Sequence, residues 1–154
     1  MESNLPVPVL SQDFQDFIRL LSEKSVEYLL IGGYAVNLHG NIRTTKDIDF
    51  WFNPKPQNCE RLEQVLFEFS GISVPEGSLS QPNSMLQLGL PPNRINLLNE
   101  PDPDLPFSPC YERRLDVLLE GLTVPVVSKA DLILLKRHAG RPRDLLDIQQ
   151  LGEI

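Results

Sequence analysis

Two glycines and two aspartates within residues 28–52 constrain the fold of this chain most strongly. An apolar run, YLLI, ends at Gly32 and Gly33, and a short apolar segment then leads to the sequence DIDFWF, which begins at Asp47. Short apolar runs bounded by glycine turns or charged residues are typical of buried strands. The segment therefore predicts a strand, a glycine turn, a short helix and a second, acidic strand.

The alternation of residue types in the acidic strand separates two faces. Successive side chains of a strand point to opposite sides, so Asp47 and Asp49 share one face, while Ile48, Phe50 and Phe52 share the other. The apolar face predicts packing into a core. The two carboxylates stand about 6–7 Å apart and can converge on one hard cation, or they can be plain solvent-facing residues, as in most isolated Asp-x-Asp triplets.

Gly32 and Gly33 favour the cation-binding interpretation. Glycines at a junction between strand and helix let backbone N–H groups approach a phosphate at the positive end of the helix. A phosphate-binding turn beside two metal-binding carboxylates indicates nucleotide chemistry.

The order of these residues resembles the signature of a known family. The matching residues are Gly32-Gly33-Tyr34-Ala35, His39-Gly40, Arg43, Thr45 and Asp47-Ile48-Asp49. This pattern is similar to that of the nucleotidyltransferase superfamily, which has a DNA polymerase beta-like fold, and to its bacterial branch related to abortive-infection nucleotidyltransferase toxins. The resemblance implies an α/β (α+β) fold in which a mixed central β-sheet is flanked by helices and C-terminal helices pack back on the site.

The resemblance also implies how a nucleoside triphosphate (NTP) would bind. Asp47 and Asp49 would hold Mg²⁺, or Mn²⁺, next to the triphosphate. The predicted nucleotide-binding residues are Gly32, Gly33, Tyr34, His39, Arg43, Thr45 and Lys46. Arginine and lysine before the acidic strand suit triphosphate oxygens, although a solvated loop is the alternative there. For His39 the alternative is a structural role at the end of the short helix.

The third carboxylate of the family pattern is replaced in this sequence. The pattern is similar to Arg-Ile-Asp-Leu-Leu, whereas residues 94–98 read RINLL, so Asn96 stands where an aspartate is expected. A carboxylate at that position helps to hold the metal and can accept the proton of the attacking hydroxyl. A neutral amide keeps the shape but loses the charge and the basicity. General-base assistance alone is worth about 10² to 10⁴ in rate.

The C-terminal segment carries the last motif of the resemblance. Its sequence DLILLKRHAGRPRDLLD is similar to a motif in which a lysine and a later aspartate belong to the active site, here Lys136 and Asp144. Lys136 would neutralise a triphosphate oxygen, and Asp144 would orient Lys136 or Arg141. The structural alternatives are a surface lysine and a first-turn acidic residue favoured by the helix dipole.

Two helices are predicted for this segment. A capping box at residues 128–131 predicts the start of the first, and Pro142 predicts the start of the second. An apolar stripe at positions 145, 148 and 151 places Asp144 and Asp147 on the more polar side of the second helix.

The remaining elements follow from periodicity. Amphipathic patterns over residues 11–24 and 57–69 predict helices that cover the sheet. Two hairpins are predicted, one over residues 85–98 and one over residues 115–127 with a Glu-Gly turn.

Length and composition predict one domain. The 154 residues, of which 41% are hydrophobic and 23% charged, are ordinary for a soluble globular protein with a core. We predict a single nucleotidyltransferase-like domain over residues 1–154, with a core at about 12–127 and a C-terminal helical part at 128–152.

Charge and cysteine content restrict the partners and the compartment. The net charge of −7 argues against non-specific nucleic-acid binding, so an RNA or protein acceptor would dock on the local basic patch of Arg137, Arg141 and Arg143. Cys59 and Cys110 are far apart and lack metal-ligand spacing, which indicates a reducing compartment. The sequence shows neither a signal peptide nor a membrane-spanning run, so a cytoplasmic protein is expected.

The resemblance, together with these patterns, implies a metal-dependent nucleotidyltransferase that transfers a nucleoside monophosphate from an NTP to the hydroxyl of an RNA or protein acceptor. Its predicted catalytic residues are Asp47, Asp49, Asn96, Lys136 and Asp144. Asn96 leaves an alternative open, a nucleotidyltransferase-like binding protein with reduced or lost activity, such as a component of a toxin–antitoxin pair. A third interpretation is that Asn96 was introduced to trap a complex.

Overall fold

A six-stranded mixed sheet forms the centre of the computed structural model, which describes residues 10–41 and 44–152. The strands are β1 Tyr28–Ile31, β2 Asp47–Phe52, β3 Met85–Leu88, β4 Arg94–Leu98, β5 Leu115–Leu119 and β6 Leu122–Val126. Their order across the sheet is β3-β4-β2-β1-β6-β5. The β2–β4 and β1–β6 pairs are parallel and the other pairs are antiparallel, which confirms the predicted mixed sheet.

Helices flank the sheet on both faces. Within the described ranges they are α1 Gln12–Glu23, α2 Gly32–Leu38, α3 Pro56–Ser70, α4 Phe107–Glu112, α5 Lys129–Ala139 and α6 Pro142–Gln150. None of these helices has the length and apolar character that crossing a membrane requires. The predicted helices and both predicted hairpins are confirmed, and α2 starts at the glycine turn itself.

One face of the sheet packs against α1 and α3. The ring of Phe50 lies 5.6 Å from that of Phe17 in α1, and Phe17 lies 5.1 Å from Phe69 in α3. Ile48 and Phe52 are fully buried beside Phe50, so the predicted apolar face of β2 is confirmed. A fully buried Phe or Ile side chain contributes about 1.5–3 kcal/mol, so this layer holds β2 firmly in place.

The opposite face of the sheet is only partly covered, and it carries the two aspartates. Trp51 lies on this face, where its ring packs edge-on against Phe107 of α4 at 5.4 Å. The Trp51 indole N–H donates to the carbonyl oxygen of Asn99 at 3.1 Å. Beyond Trp51 the face opens into a cavity that is bordered by β2, β4, α5 and α6.

The start of α5 has only one of the two hydrogen bonds of the predicted capping box. The Ser128 hydroxyl accepts a hydrogen bond from the backbone N–H of Asp131 at 3.1 Å, as predicted. The Asp131 carboxylate, predicted to bond back to the helix start, instead accepts two hydrogen bonds from Arg113, at 2.9 and 3.1 Å. A forked guanidinium bond is charge-assisted and stronger than a bond from a neutral backbone N–H. Asp131 therefore links α5 to the end of α4.

Candidate active site

Strand pairing brings Asp47, Asp49 and Asn96 together. The register of β2 and β4 places Asp49 opposite Asn96 and Asp47 opposite Arg94. The side-chain Nδ2 of Asn96 donates to Asp49 Oδ1 at 2.7 Å and, over 3.4 Å, to Asp47 Oδ2. We refer to these three side chains as the Asp-Asp-Asn cluster.

Arg94 fixes one side of the cluster. Its Nη2 and Nε donate to Asp47 Oδ2 at 2.8 and 3.3 Å. The pair is partly exposed, so it contributes at most about 1 kcal/mol to stability. Its main effect is orientation, because it holds the Asp47 carboxylate by Oδ2 alone.

Two oxygen atoms of the cluster are buried without a hydrogen-bond donor among the described residues: Asp47 Oδ1 and Asn96 Oδ1. Leaving a buried polar atom unpaired costs about 1–3 kcal/mol. Carboxylate and amide oxygens are ligands that Mg²⁺ accepts, so the donor set fits a hard divalent cation. The described residues contain no cluster of three His, Cys, Asp or Glu side chains suited to a metal. The third member of the cluster is an amide, which faces the two carboxylates through its Nδ2.

The environment of Asp49 resists its charged form. Burial raises the pKa of the Asp49 carboxyl, and the neighbouring Asp47 carboxylate adds to the rise. The hydrogen bond from Asn96 and the positive charges of Lys136 and Arg141 act in the opposite direction. A bound cation would remove this unfavourable burial of charge, because it favours the ionised form of both carboxylates.

Gly32 lies against Asp49 at the start of α2. Its backbone has a positive φ of 71°, and a Cβ atom at this position would overlap Asp49 Oδ2. The carboxylate can therefore occupy its position only because residue 32 has no side chain. Gly33 follows, and both glycines line the cavity.

Lys136 is buried between two carboxylates of α6. Its Nζ lies 3.1 Å from Asp144 Oδ1 and 3.1 Å from Asp147 Oδ2, and the three side chains are 8%, 0% and 2% exposed. The prediction that Asp144 and Asp147 lie on the polar side of α6 is wrong. The helix turns its acidic face towards Lys136, and Leu145 of the predicted apolar stripe is exposed instead.

Arg141 completes this charged network. Its Nε donates to Asp144 Oδ2 at 2.7 Å. Burial alone would raise the pKa of the Asp144 carboxyl, but the hydrogen bonds from Arg141 and Lys136 outweigh it and lower the pKa. Asp144 thus stays ionised and holds both cations at the border of the cavity.

A cavity of about 840 Å³ joins the Asp-Asp-Asn cluster to the Lys136 network. The predicted site residues that line it are Gly32, Gly33, Thr45, Lys46, Asp47, Asp49, Asn96, Lys136 and Asp144. A pocket of this size is within the range of small-molecule and cofactor sites. It places carboxylates, cations and a glycine turn around one space.

The sequence of this chain matches a family model over residues 10–152, and the description of that family is "Nucleotidyltransferase of unknown function (DUF6036)". The chain belongs to this nucleotidyltransferase family. No curated protein matches the sequence.

Solved structures with a similar fold are also nucleotidyltransferases. The lincosamide antibiotic adenylyltransferase LnuA, solved with lincomycin bound, has 18% identity and a TM-score of 0.57, with 95% of this chain and 98% of that chain covered. A putative nucleotidyltransferase from Thermotoga maritima (TM1012) has 16% identity and a TM-score of 0.62, with 88% of each chain covered. The antibiotic-resistance factor ANT(2'')-Ia has 16% identity and a TM-score of 0.59, with 91% of this chain and 83% of that chain covered. These likenesses confirm the nucleotidyltransferase fold.

Two residues predicted to bind nucleotide lie outside the cavity. Tyr34 is buried in the core, where its ring meets Phe14 of α1 at 5.8 Å. The Nε2 of His39 is hydrogen-bonded to the carbonyl oxygen of Val127 at 2.8 Å, which agrees with the structural alternative. Arg43, also predicted to bind nucleotide, lies outside the described residues.

The basic patch predicted for an acceptor is divided in the structure. Arg141 and Arg143 line the cavity, on the same side as Lys136. Arg137 is exposed on α5 and does not line the cavity. Two of the three arginines of the predicted patch therefore border the cavity.

The sequence reasoning missed two residues of the site, Arg94 and Asp147. Arg94 precedes Asn96 by two residues, and residues at that spacing lie on the same face of a strand. Asp147 follows Asp144 by three residues, so both project from one side of α6. These spacings are visible in the sequence, but only the pairing of the elements shows what the side chains meet.

Gly32→Ala is expected to destabilise the fold more than Gly121→Ala does. Both glycines have a positive φ, and a non-glycine residue there costs about 1–2 kcal/mol. Only at Gly32 does the added methyl group also displace the Asp49 carboxylate, whereas nothing lies within 4 Å of a Cβ at Gly121. Urea unfolding of both variants measures the difference, and equal losses in free energy of unfolding would contradict the close contact.

Lys136→Met is expected to lower the free energy of unfolding at pH 7 by about 3–5 kcal/mol, because it leaves two buried carboxylates without their shared cation. Lys129→Met, an exposed position on the same helix, is the matched control and should change little. The lowered pKa of Asp144 means that its ionised form stabilises the fold above about pH 4 and loses this effect as the pH falls through the folded pKa. The gap between wild type and Lys136→Met should therefore narrow at pH 3, and a gap that does not change between pH 7 and pH 3 would count against the ion pair.

Proposed function

We propose that this protein transfers a nucleoside monophosphate from an NTP to an acceptor hydroxyl in a Mg²⁺-dependent reaction. The observation that carries the proposal is the Asp-Asp-Asn cluster, whose buried oxygens Asp47 Oδ1 and Asn96 Oδ1 lack a donor among the described residues. Two adjacent carboxylates with an unpaired buried oxygen do not stabilise the fold, because buried polar atoms are normally hydrogen-bonded. Such oxygens are suited to bind a divalent cation.

Asp47, Asp49 and Asn96 would hold the Mg²⁺, and Mn²⁺ suits the same oxygen ligands. Bound there, the ion would neutralise negative charge on the triphosphate and on the transferring phosphoryl group. The Asn96 amide donates from Nδ2 to Asp49, so a half-turn of the amide would be needed to offer Oδ1 instead. That rotation is unfavourable beside a bare carboxylate and favourable beside a cation.

The triphosphate would lie between the cluster and the basic side of the cavity. Gly32 and Gly33 leave room for phosphate oxygens to approach the backbone, because no side chain projects there. Lys136 and Arg141, held by Asp144 and Asp147, supply positive charge whose position is fixed in advance. Lys46 and Thr45 line the same space at the start of β2.

In the proposed reaction the acceptor oxygen forms a bond to the α-phosphorus of the NTP. The bond from that phosphorus to the oxygen that bridges to the β-phosphate breaks, and pyrophosphate leaves. Because the Asn96 amide has no basicity, the proton of the acceptor hydroxyl passes to water. The contribution of the protein is mainly positioning and electrostatic stabilisation.

Asn96 favours a second candidate function, an NTP-binding protein with reduced or lost transfer activity, such as one component of a toxin–antitoxin pair. The cluster contains two carboxylates and an amide where the superfamily pattern has three carboxylates. Such a site could still bind a metal–nucleotide complex, because Asp47, Asp49 and the cations remain.

A transfer assay tests both candidates. The protein is incubated with Mg²⁺, each α-³²P-labelled NTP and separate pools of RNA, protein and small hydroxylated compounds. Wild type and Asp47→Ala are compared, together with NTP binding measured by filter retention. Transfer that disappears in Asp47→Ala supports the enzyme. Mg²⁺-dependent NTP binding without transfer supports the binding protein, and the absence of both overturns both candidates.

A further inference from the structure

The pairing of β3 with β4 extends the Asp-Asp-Asn cluster towards the edge of the sheet. Gln87 of β3 is opposite Asn96, which in turn is opposite Asp49, so three side chains form a row across three strands. Two residues earlier on the same face of β3, Met85 is opposite Leu98. Gln87 and Met85 are exposed, Met85 by 60%, and both line the cavity.

This β3–β4 end of the cavity differs in chemistry from the end that holds the cations. Arg94 and Asn96 of β4 border it on the side of the Asp-Asp-Asn cluster, and its other lining residues are Met85, Gln87, Pro91, Leu98 and Pro101. They provide an apolar surface with a single neutral amide. The positive charge among the described lining residues of β3 and β4 is that of Arg94, and its guanidinium is bonded to Asp47.

We propose that the β3–β4 end binds the acceptor, and that the acceptor is an uncharged small molecule with a hydroxyl group and an apolar face. This inference rests on the proposed function. Asn96 lies between the metal-binding carboxylates and Gln87, so an acceptor held at Gln87 and Met85 presents its hydroxyl beside Asn96. The amide of Gln87 can donate to and accept from hydroxyl groups, and the flexible Met85 side chain adapts to an apolar face.

The same chemistry disfavours charged acceptors. An RNA acceptor is held largely by cationic side chains that contact its phosphates. Among the described residues that line the cavity, the cationic side chains without a carboxylate partner are not on β3 or β4. A polycationic amino sugar needs carboxylates around it. The described lining residues of β3 and β4 include no carboxylate, and their one cation, Arg94, is already bonded to Asp47.

Methionine labelling gives a local probe of this end, since the sequence has only Met1 and Met85. The protein is labelled with methionine that carries ¹³C in its methyl group, and the chemical shift of the Met85 methyl resonance is measured as ligands are added without NTP or Mg²⁺. The ligands are neutral hydroxylated compounds (alkyl and phenyl glycosides and aryl alcohols), multiply charged amino sugars and RNA oligonucleotides. We expect members of the neutral panel to shift the Met85 resonance, and the charged ligands to shift it less.

Three variants sharpen the test. Met85→Lys and Gln87→Glu should each weaken binding of the neutral compounds by about tenfold, because each places a charge in the proposed site. Leu118→Lys is the matched control, since Leu118 is 72% exposed on the opposite edge strand and does not line the cavity. A loss of affinity as large in Leu118→Lys as in Met85→Lys would overturn the assignment.

The binding measurement separates this inference from the proposed function. A Met85 resonance that neutral compounds shift, in a protein that transfers no label, overturns the transfer reaction and supports the small-molecule site. A Met85 resonance that does not respond to the neutral panel, or that responds most to amino sugars or RNA, overturns the inference and leaves the transfer reaction to its own assay.

Discussion

Asp49→Asn is expected to abolish nucleotidyl transfer while leaving the protein folded and, in the absence of Mg²⁺, more stable than wild type. Asp49 is the central member of the Asp-Asp-Asn cluster, between Asn96 on β4 and Gly32 on α2. A catalytic metal supplies several kcal/mol of transition-state stabilisation, so the loss of a ligand should slow transfer by about 10³-fold or more. The amide keeps the shape of the carboxylate and can still accept the hydrogen bond from Asn96.

The gain in stability follows from the sign of the pKa shift. Burial, together with the Asp47 carboxylate, raises the pKa of Asp49, so the folded state holds this proton more tightly than the unfolded state does. Ionisation of Asp49 therefore reduces stability progressively as the pH rises above about 4, the ordinary aspartate value. At pH 7 a neutral asparagine avoids this loss.

Two measurements check this prediction. Labelled transfer gives the rate, and calorimetry gives the melting temperature with and without Mg²⁺, which should raise that of wild type but not that of Asp49→Asn. Asp116→Asn is the control, because Asp116 is an exposed carboxylate on β5. Transfer at the wild-type rate in Asp49→Asn, or the same Mg²⁺-induced shift in melting temperature, would rule out a metal-binding role for Asp49.

The sequence predicted those parts of the site that depend on local periodicity. The alternation through β2 is enough to separate Asp47 and Asp49 from the apolar face, because side-chain direction in a strand depends only on neighbouring residues. The glycine turn at Gly32 is likewise a local feature, because it is predicted from the glycines that end the apolar run of β1. The contact between Gly32 and Asp49 was not, since it depends on the antiparallel register that places Ile31 opposite Asp49.

The charged network of α5 and α6 shows where local reasoning fails. Lysine and aspartate side chains in amphipathic helices are usually exposed to solvent. The sequence of α6 therefore predicts a helix whose acidic side faces outward. The actual burial depends on a long-range match, in which one buried cation meets two carboxylates from the next helix. Sequence reasoning from a single helix cannot detect this, because each charge is unfavourable in the core until its partner is present.

Tyr34 and His39, both predicted to bind nucleotide, do not line the cavity. Their spacing from the glycine turn matches a family signature, yet Tyr34 packs against α1 and His39 is hydrogen-bonded to Val127, the residue that follows β6. A short helix turns through about 100° per residue, so residues close in sequence to the turn can point away from the cavity. Proximity along the chain was a poor guide to proximity in space.

Asn96→Asp is expected to raise the rate of Mg²⁺-dependent transfer by about 10² to 10⁴, the usual contribution of a general base. The substitution places a third carboxylate opposite Asp49 and next to Gln87, where we propose that the acceptor binds. There it can accept the proton of the acceptor hydroxyl and add charge to the metal site. Asn93→Asp, in the exposed turn between β3 and β4, adds the same charge outside the cluster and is the matched control.

The same substitution should make the fold depend on Mg²⁺. The Asn96 Nδ2 donates to both carboxylates, so Asn96→Asp replaces this donor with a third negative charge beside Asp47 and Asp49. Without metal the variant should melt below wild type, and Mg²⁺ should restore most of the difference, whereas Asn93→Asp should show neither effect. Transfer by Asn96→Asp alone would assign wild type to the binding-protein class, because the amide then accounts for the lost activity. Transfer by both proteins at equal rates would instead show that the reaction proceeds without a base at this position, and would overturn the predicted gain.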